Sequence, residues 1–467
     1  MFNQNDDLLT TVGKIIGLGV LGATGACLLG RLGFKYFISQ NTSKILSESY
    51  NRNLFELFTS RNRTNPVLLV DTNLRAESGK ALMRPLGTPF PMPDFSGMRF
   101  DAAQVDRFPT PNDVEVDTTL VLGKQAARPL RLDIPILLGG MAYGTGLSKQ
   151  AKLALAEAAT KVGTVTNCGD GPFNDWERAA AKHYIVQYGR TRLNRDPNVL
   201  RQADMIEIQF GHCGWTGIGS KYAWSELTPE LRRAFGLKPG EDFIYHAQFP
   251  EVRRPRDLRV LVADLKEITG GVPIGIKMAC GKYLERGLAI ALEAEVDVIN
   301  LDGGQAASHS APAAIMDNFG VPTVAALCRA SRWLDSQKAR DRVSLLVGGG
   351  LESPGDFLKA LALGADGVVI GTIALIALEH SQEFKSLPFE PPTQLLWYGG
   401  RSHHRFSRKE GARYLANYLR ACTEEMRICT RALGKTALRD VSIDDLFAID
   451  DDTAKIANIP LLYQPQP

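Results

Sequence analysis

The stretch VSLLVGGGLESPGDFLKALALGADGVVIGT, residues 343–372, decides the fold. An apolar run, Val343–Val347, ends in three glycines, Gly348 to Gly350. Ser353 then stands as an N-cap with Pro354 at the first helical position, and Gly364 stops the helix. A second apolar run, Val368–Ile370, ends in Gly371-Thr372. The order is strand, loop, helix, strand, loop. Glycine at a strand end lets backbone N–H groups approach a ligand closely, and a helix N-terminus attracts phosphate. In an eight-stranded α/β barrel the phosphate site lies in the loops after strands seven and eight. Taken as those two strands, the stretch predicts a phosphorylated ligand.

Working back from it, eight apolar runs can be marked: Ile134–Leu138, Gly163–Asn167, Tyr184–Tyr188, Met205–Phe210, Val272–Met278, Val296–Leu301, Val343–Val347 and Val368–Ile370. Continuous apolar runs are what strands buried on both faces look like. Helical patterns lie between several of them. After Ser148, a candidate N-cap, Ala151, Leu155, Ala158 and Val162 share one face. The alternation predicts an α/β fold, a (β/α)8 TIM barrel over 131–385, with a doubly wound open sheet as the alternative. The segment 211–271 between the fourth and fifth runs is long for a connection, opens with GHCGWTGIGSKYAW, and is expected to serve function. Residues 46–130 read as an irregular extension wrapping the barrel. Residues 386–467 read as a C-terminal helical region, clearest in YLANYLRACTEEMRICTRALG, where Cys422 and Cys429 fall on the apolar face and are taken as packing.

Composition narrows the classes. A 44% hydrophobic, 22% charged chain of 467 residues is globular, not disordered. Its 54 Lys+Arg against 51 Asp+Glu give a net charge of +3, which argues against nucleic-acid binding by field alone. The seven cysteines are scattered without a CxxC pair, so no disulfide framework and no sequence-local metal site is expected, and a reducing compartment is.

Residues 1–45 carry a further signal. Between Lys14 and Arg31 lies the uncharged stretch IIGLGVLGATGACLLG. It is slightly short for a membrane span of roughly 20 residues, but flanking Lys14 and Arg31 would snorkel to the interfaces. It also contains Gly17-x-Gly19-x-x-Gly22-Ala23, a dinucleotide-like fingerprint that lacks the acid expected about 20 positions on. A cleaved signal or a buried helix are the remaining readings. The favoured expectation is a single-pass N-terminal transmembrane helix. Arg31, Lys35 and Lys44 then place the catalytic part in the cytoplasm.

Some residues carry candidate chemistry. Lys277, near the end of the strand-like GIKM, would sit over a barrel mouth, either facing an anionic ligand group or forming a Schiff base with a carbonyl substrate. Asp302-Gly303-Gly304 at a strand end suits hydroxyl recognition with close backbone approach, or else a plain turn. The loop Gly139-Gly140-Met141-Ala142-Tyr143-Gly144-Thr145-Gly146 has more backbone freedom than a connection needs, and Asn167, Gly169, Asp170 and Gly171 repeat the pattern after the second run. His212 is either a satisfied loop histidine or a substrate ligand.

The segments LLGGMAYGTGLSK, TNCGDG, IVQYGR, ADMIEIQFGHCGWTGIG, GIKM, NLDGGQAAS, VGGGLESPGDFLKALALGADGVVIGTIAL and TEEMRICTRALG, in that order from Arg131 to Leu433, resemble the FMN domain of glutamate synthase. The whole layout resembles the stand-alone FMN-binding glutamate synthase-like proteins. The resemblance implies FMN at the barrel mouth, with Gly140, Met141 and Ala142 meeting the ring and Asn167 and Gln187 its polar edge. Lys277 would lie at the N1/O2 side, with Asp302, Gly303 and Gly304 nearby and Gly349, Gly350, Gly371 and Thr372 at the phosphate. It implies reductive amination of 2-oxoglutarate to glutamate with hydride from N5 of reduced FMN. Lys277 would stabilise the flavin anion, with Asp170 and His212 handling protons.

Departures from the family pattern shape the expectations. The stretch ALEHSQEFKSLPFEPP has no cysteine where electron-accepting members carry a cluster, so no iron–sulfur cluster is expected, and electrons would come from a separate donor. Trp215-Thr216 occupies the place of a lysine-proline pair, and Gly348 that of an acid. The alternatives are an FMN enzyme for another amine or hydroxy acid, a flavin-free barrel lyase using Lys277, and a non-catalytic membrane scaffold.

Overall fold

The computed structural model describes residues 29–53, 55–56 and 65–463, and the chain divides at Ala81–Leu82 into two compact units. In the first, residues 29–47 are helical, and a second helix, Pro66–Ser78, is capped by the Asn65 side chain accepting from the Val67 N–H. Gly79 ends it at φ +62°. Among the described residues no helix is long and apolar enough to cross a membrane. The stretch expected to be an anchor, 15–30, lies outside the described residues except for its last two positions, as does the Gly17–Ala23 pattern.

The second unit holds eight parallel strands: β1 (Ile136–Leu138), β2 (Val165–Asn167), β3 (His183–Tyr188), β4 (Met205–Gln209), β5 (Ile274–Ala279), β6 (Val298–Asp302), β7 (Ser344–Gly348) and β8 (Gly367–Ile370). Hydrogen bonding runs in sequence order from β2 to β8 and then from β8 to β1. β1 and β2 lie side by side without a hydrogen-bonded register, which leaves a nearly closed barrel. A doubly wound sheet would reverse its strand order at a switch point; here no reversal occurs. All eight apolar runs became strands.

Eight helices alternate with them: α1 (Lys149–Val162), α2 (Asp175–Ala180), α3 (Pro197–Leu200), α4 (Pro255–Thr269), α5 (Leu284–Glu293), α6 (Thr323–Ser336), α7 (Pro354–Ala362) and α8 (Thr372–Glu379). The expected caps are present: Ser148 Oγ accepts from Ala151 N–H at 3.3 Å, and Ser353 Oγ from Asp356 N–H at 3.2 Å. Gly364 takes φ +103°, the left-handed conformation that stops the chain after α7. The long helix α9 (Arg408–Ala432) of the C-terminal region packs on α1 through a face that buries Leu415, Leu419, Cys422 and Met426.

Side chains alternate along a strand, and the inward positions here change from apolar to polar as each strand rises. Val165 is followed inward by Asn167, Ile185 by Gln187, Met205 by Glu207 and Gln209, and Val298 by Asn300 and Asp302. The lower layer (Leu137, Val165, Ile185, Met205, Val298 and Leu346) packs against Leu120, Leu122, Leu130 and Leu132. Those leucines belong to an antiparallel pair, Leu120–Leu122 with Leu130–Leu132, that plugs the N-terminal end of the barrel. The extension before the barrel therefore supplies core. The segment Met98–Phe100 of the same extension pairs with Leu446–Ala448 near the C-terminus. Within the long insertion, Ser220–Tyr222 pairs with Phe243–Tyr245 over a small cluster of Tyr143, Leu227, Leu231, Phe235 and Phe243.

Candidate active site

With an apolar plug below, the polar upper layer faces the C-terminal mouth, the end where barrel enzymes place their chemistry. A cavity of about 460 Å3 opens there, lined by Gly140, Met141, Lys277, Asp302, Gly349, Gly350, Gly371 and Thr372. A second, of about 110 Å3, shares Gly140, Met141, Lys277, Gly371 and Thr372 with it. It adds Ala142, Asp170, Gln187, His212, His309 and Trp397. Glycine-ended strands from opposite sides of the sequence thus converge on one rim.

Asn167, Gly303 and Gly304 line neither cavity. Asn167 lies directly behind Gly140, where an added Cβ would stand 3.1 Å from its Oδ1 and 2.6 Å from Gln187 Nε2. Gly303 faces α6, and a Cβ on it would meet Thr323 Oγ1 at 2.0 Å. Gly304 faces Met92, with Sδ 2.9 Å from a Cβ there. These two glycines let loops pack closely; they do not face the open space.

One buried carboxylate organises the polar layer. Glu207, 2% exposed, accepts from Asn167 Nδ2 at 2.9 Å, Gln187 Nε2 at 2.7 Å and Asn300 Nδ2 at 2.6 Å. A carboxylate has lone pairs for three such donors, and burial without them would be costly. Lys277 Nζ lies 3.3 Å from Asp302 Oδ1. Burial alone would lower the Lys277 pKa, but the Asp302, Glu207 and Asp170 carboxylates outweigh it and hold the ammonium above the ordinary lysine value. Asp302 Oδ2 also accepts from the Cys213 N–H at 3.2 Å, which ties the start of the long insertion to the site.

The smaller cavity mixes one carboxyl with neutral imidazoles. Burial raises the Asp170 pKa, opposed by Arg190 and Lys277, and Gln209 Nε2 donates to its Oδ2 at 3.4 Å. His212 titrates well below the usual histidine range because it is buried beside Lys277 and Arg190, and its Nδ1 is buried with no hydrogen-bond partner. Burial brings His309 down to about 4. Arg190 is spent on backbone, donating to the carbonyls of Ile218, Ala247 and Trp215. Trp215 lines neither cavity; its Nε1 donates to Ser308 Oγ at 3.1 Å and Ser310 O at 2.8 Å.

Sequence reading missed several contributors. Leu86, Phe90, Met92, Asp94 and Phe95 line the larger cavity from the extension, and nothing in their local pattern points there. Glu207, Asn300 and Gln209 were legible in principle, because each is a polar residue two places beyond another inward position of a buried strand. Among the described residues, no group of His, Cys, Asp and Glu is placed to hold a metal ion.

Chemically, the mouth offers free N–H groups at the start of α8 and the glycine turn after β7 for an anion. It adds a buried, ion-paired ammonium and the backbone of Gly140–Ala142. Residues 99–436 match the conserved region in glutamate synthase. A glutamate synthase large subunit-like protein of Rhizobium meliloti is 32% identical over 84% of this chain and 93% of its own length. An archaeal glutamate synthase (NADPH) of Archaeoglobus fulgidus is 32% identical over 63% of this chain and 56% of that protein. An archaeal-type glutamate synthase (NADPH) of Dehalococcoides mccartyi is 30% identical over 63% and 57%. The chain spans little more than half the length of these last two.

Proposed function

The chain belongs to the glutamate synthase family, and from that premise we propose that it is an FMN-dependent oxidoreductase acting on the CH–NH2 group of an amino acid. The observation that carries this reading is the convergence of Gly349, Gly350, Gly371 and Thr372 with Lys277 and the Gly140–Ala142 loop on one mouth. FMN fits the residues present. A Cβ on Gly371 would stand in open space on the cavity wall, and Gly349, at φ +115°, leaves no room for one beside Ala306 N. The phosphate would be held by the Gly349–Gly350 turn and the N-terminus of α8, the ring by Gly140–Ala142, its polar edge by Gln187. When bound, FMN supplies hydride transfer. Lys277 would set its positive charge beside a bound ring and so favour one that gains negative charge on reduction. Gln187 is fixed by Glu207 and so orients without moving. Asp170, whose proton is favoured by burial, and neutral His212, with its unpartnered Nδ1, are the groups able to hold or pass a proton.

Glutamate and 2-oxoglutarate are the first substrates to test. A second reading, another amine or a hydroxy acid, is favoured by one observation: among the described residues Lys277 is the only lysine or arginine lining either cavity, and both histidines are held neutral. A dicarboxylate would lack a second fixed cation there.

The proposal includes no iron–sulfur cluster, since the stretch 377–392 carries no cysteine, and it includes a separate electron donor. It also includes membrane anchorage through residues 15–30 with the barrel in the cytoplasm, supported by the uncharged run and by Arg31, Lys35 and Lys44 after it. Membrane fractionation with and without the first 45 residues tests that part.

The central test is spectroscopic. Protein purified from its native source is expected to carry a flavin absorbance band, and the extracted cofactor to have the mass of FMN. Anaerobic addition of glutamate, other amino acids and hydroxy acids then identifies the substrate by bleaching. Purified, folded protein that neither carries FMN nor takes it up would overturn the reading.

A further inference from the structure

A third cavity, of about 580 Å3, opens at the far end of the barrel from the site just described. It lies between the plugging strand pair, the turns that lead into β1, β7 and β8, and the C-terminal segment around Leu438. Its wall is apolar at Leu120, Val121, Leu361 and Leu438. Among the described residues, four cationic residues, Lys124, Arg131, Arg340 and Arg439, line it against the single acidic residue Asp366.

The charges do not cancel within the wall. Asp366 accepts from Lys124 Nζ at 3.3 Å and the Leu345 N–H at 2.7 Å, and lies 3.5 Å from Arg340 Nη2. From outside the wall, Asp117 pairs with Arg439, and Asp335 stands 3.9 Å from Arg340. Four cations thus meet three carboxylates, and Arg131 has no ion pair or side-chain hydrogen bond among the described residues. Arg340 is half-used: its Nη2 donates to the Gly364 carbonyl at 2.6 Å, while its Nη1 is buried with no hydrogen-bond partner. A guanidinium fork matches phosphate and carboxylate oxygens.

We infer that this cavity is a second ligand site, which binds a small organic anion, phosphorylated or polycarboxylic, by its charged head at Arg131 and Arg340 and by its apolar body on the leucine wall. It lies at the opposite end of the barrel from the mouth and does not depend on what the mouth binds. The occupant enters between the plug and the strand starts, so it bears on the lower core layer through Leu120.

The test is calorimetric titration of the full chain, saturated with whatever cofactor the mouth retains, using ADP, pyrophosphate and citrate, with adenosine as the uncharged control. At least one of the three anions is expected to bind in the millimolar range or tighter while adenosine alone does not. ADP and pyrophosphate without citrate identify a phosphate head; citrate alone identifies a carboxylate one. Arg131→Gln, which removes no ion pair or side-chain hydrogen bond among the described residues, is expected to melt near the wild-type temperature and to bind that anion roughly tenfold or more weakly, the equivalent of losing one charge-assisted pair. Arg340→Gln should weaken it as well. Absence of heat with all three anions, or binding that Arg131→Gln leaves unchanged, would overturn the inference.

Discussion

The Lys277 ammonium stands 3.3 Å from the Asp302 carboxylate, with the two side chains 10% and 7% exposed, at the junction of the two cavities of the barrel mouth. The pair follows from strand register. Lys277 on β5 lies beside Asn300 of β6, and Asp302 is the next inward residue of β6 after Asn300. A buried ion pair of this kind gives little net stability, but removing one partner strands the other.

Lys277→Met is therefore expected to cost about 3 kcal/mol in urea unfolding near neutral pH, because Asp302 is left buried without its counter-charge and must stay unpaired or take up a proton. Lys277→Met with Asp302→Asn should recover part of that loss, and strictly additive costs would show that the two side chains are uncoupled. The sign of the pH dependence follows from the raised Lys277 pKa. Its contribution is complete below the unfolded lysine value and is lost only as pH rises through the folded one. In the variant the pH dependence passes to Asp302, whose pKa burial already raises and Lys277 holds down, so the penalty of Lys277→Met should grow as pH rises.

Much of this architecture is legible in the chain. Strands buried on both faces carry near-continuous apolar runs, so all eight could be marked from short runs, and Ser148 and Ser353 announced α1 and α7 because a serine side chain can accept from the first unpaired N–H groups of a helix. The glycine-ended β7 and β8 loops and Lys277 came from the same reading. What stayed hidden depends on partners remote in sequence. Leu120, Leu122, Leu130 and Leu132 look like any extended segment until the barrel end they close is known. Phe90 to Phe95 reach the mouth by chain path alone. Gly303 and Gly304 carry the pattern of a ligand loop, yet serve close packing against Thr323 and Met92. Glu207 was readable in hindsight from physics: a lone acid inside MIEIQ has to find donors.

Glu207→Gln tests that hub. The substitution turns one acceptor oxygen into an NH2 group facing amides that already donate, so at least one of Asn167, Gln187 and Asn300 loses its acceptor. A buried donor left unpaired costs roughly 1–3 kcal/mol, which a shift of the urea midpoint will measure. Flavin affinity should fall with it, because Gln187 would no longer be fixed. A variant of unchanged stability and flavin affinity would remove Glu207 from its organising role.

Glu379, at the end of α8, is 4% exposed with Oε2 lacking a hydrogen-bond partner. Burial, with Glu383 and Glu390 adding repulsion, raises its pKa from 4.5 to about 8. The folded state therefore binds a proton that the unfolded state has lost, and stability falls as pH rises from about 4.5 to about 8. Glu379→Gln, which mimics the protonated form, should be near neutral at pH 5 and stabilising by about 1–3 kcal/mol at pH 9. Melting curves of both proteins at the two pH values decide it; an equal effect at both would mean that Glu379 is not the titrating group.

Gly349 and Gly371 form a diagnostic pair for the phosphate cradle. An alanine at 349 would be forced to φ +115° and would press its Cβ to 2.9 Å from Ala306 N, so Gly349→Ala is expected to destabilise the empty protein by roughly 1–3 kcal/mol. An alanine at 371 meets nothing within 4 Å, so Gly371→Ala should fold with the wild-type melting temperature when the cofactor is stripped. Its methyl group nevertheless occupies the wall of the mouth beside the α8 N-terminus. If an anion docks on those N–H groups, Gly371→Ala must release FMN more readily than wild type, by roughly tenfold for about 1.4 kcal/mol of lost contact. Fluorescence titration of stripped protein with FMN and with riboflavin separates the causes. A loss confined to FMN assigns the defect to the phosphate, and equal binding by Gly371→Ala and wild type would move the phosphate away from β8 altogether.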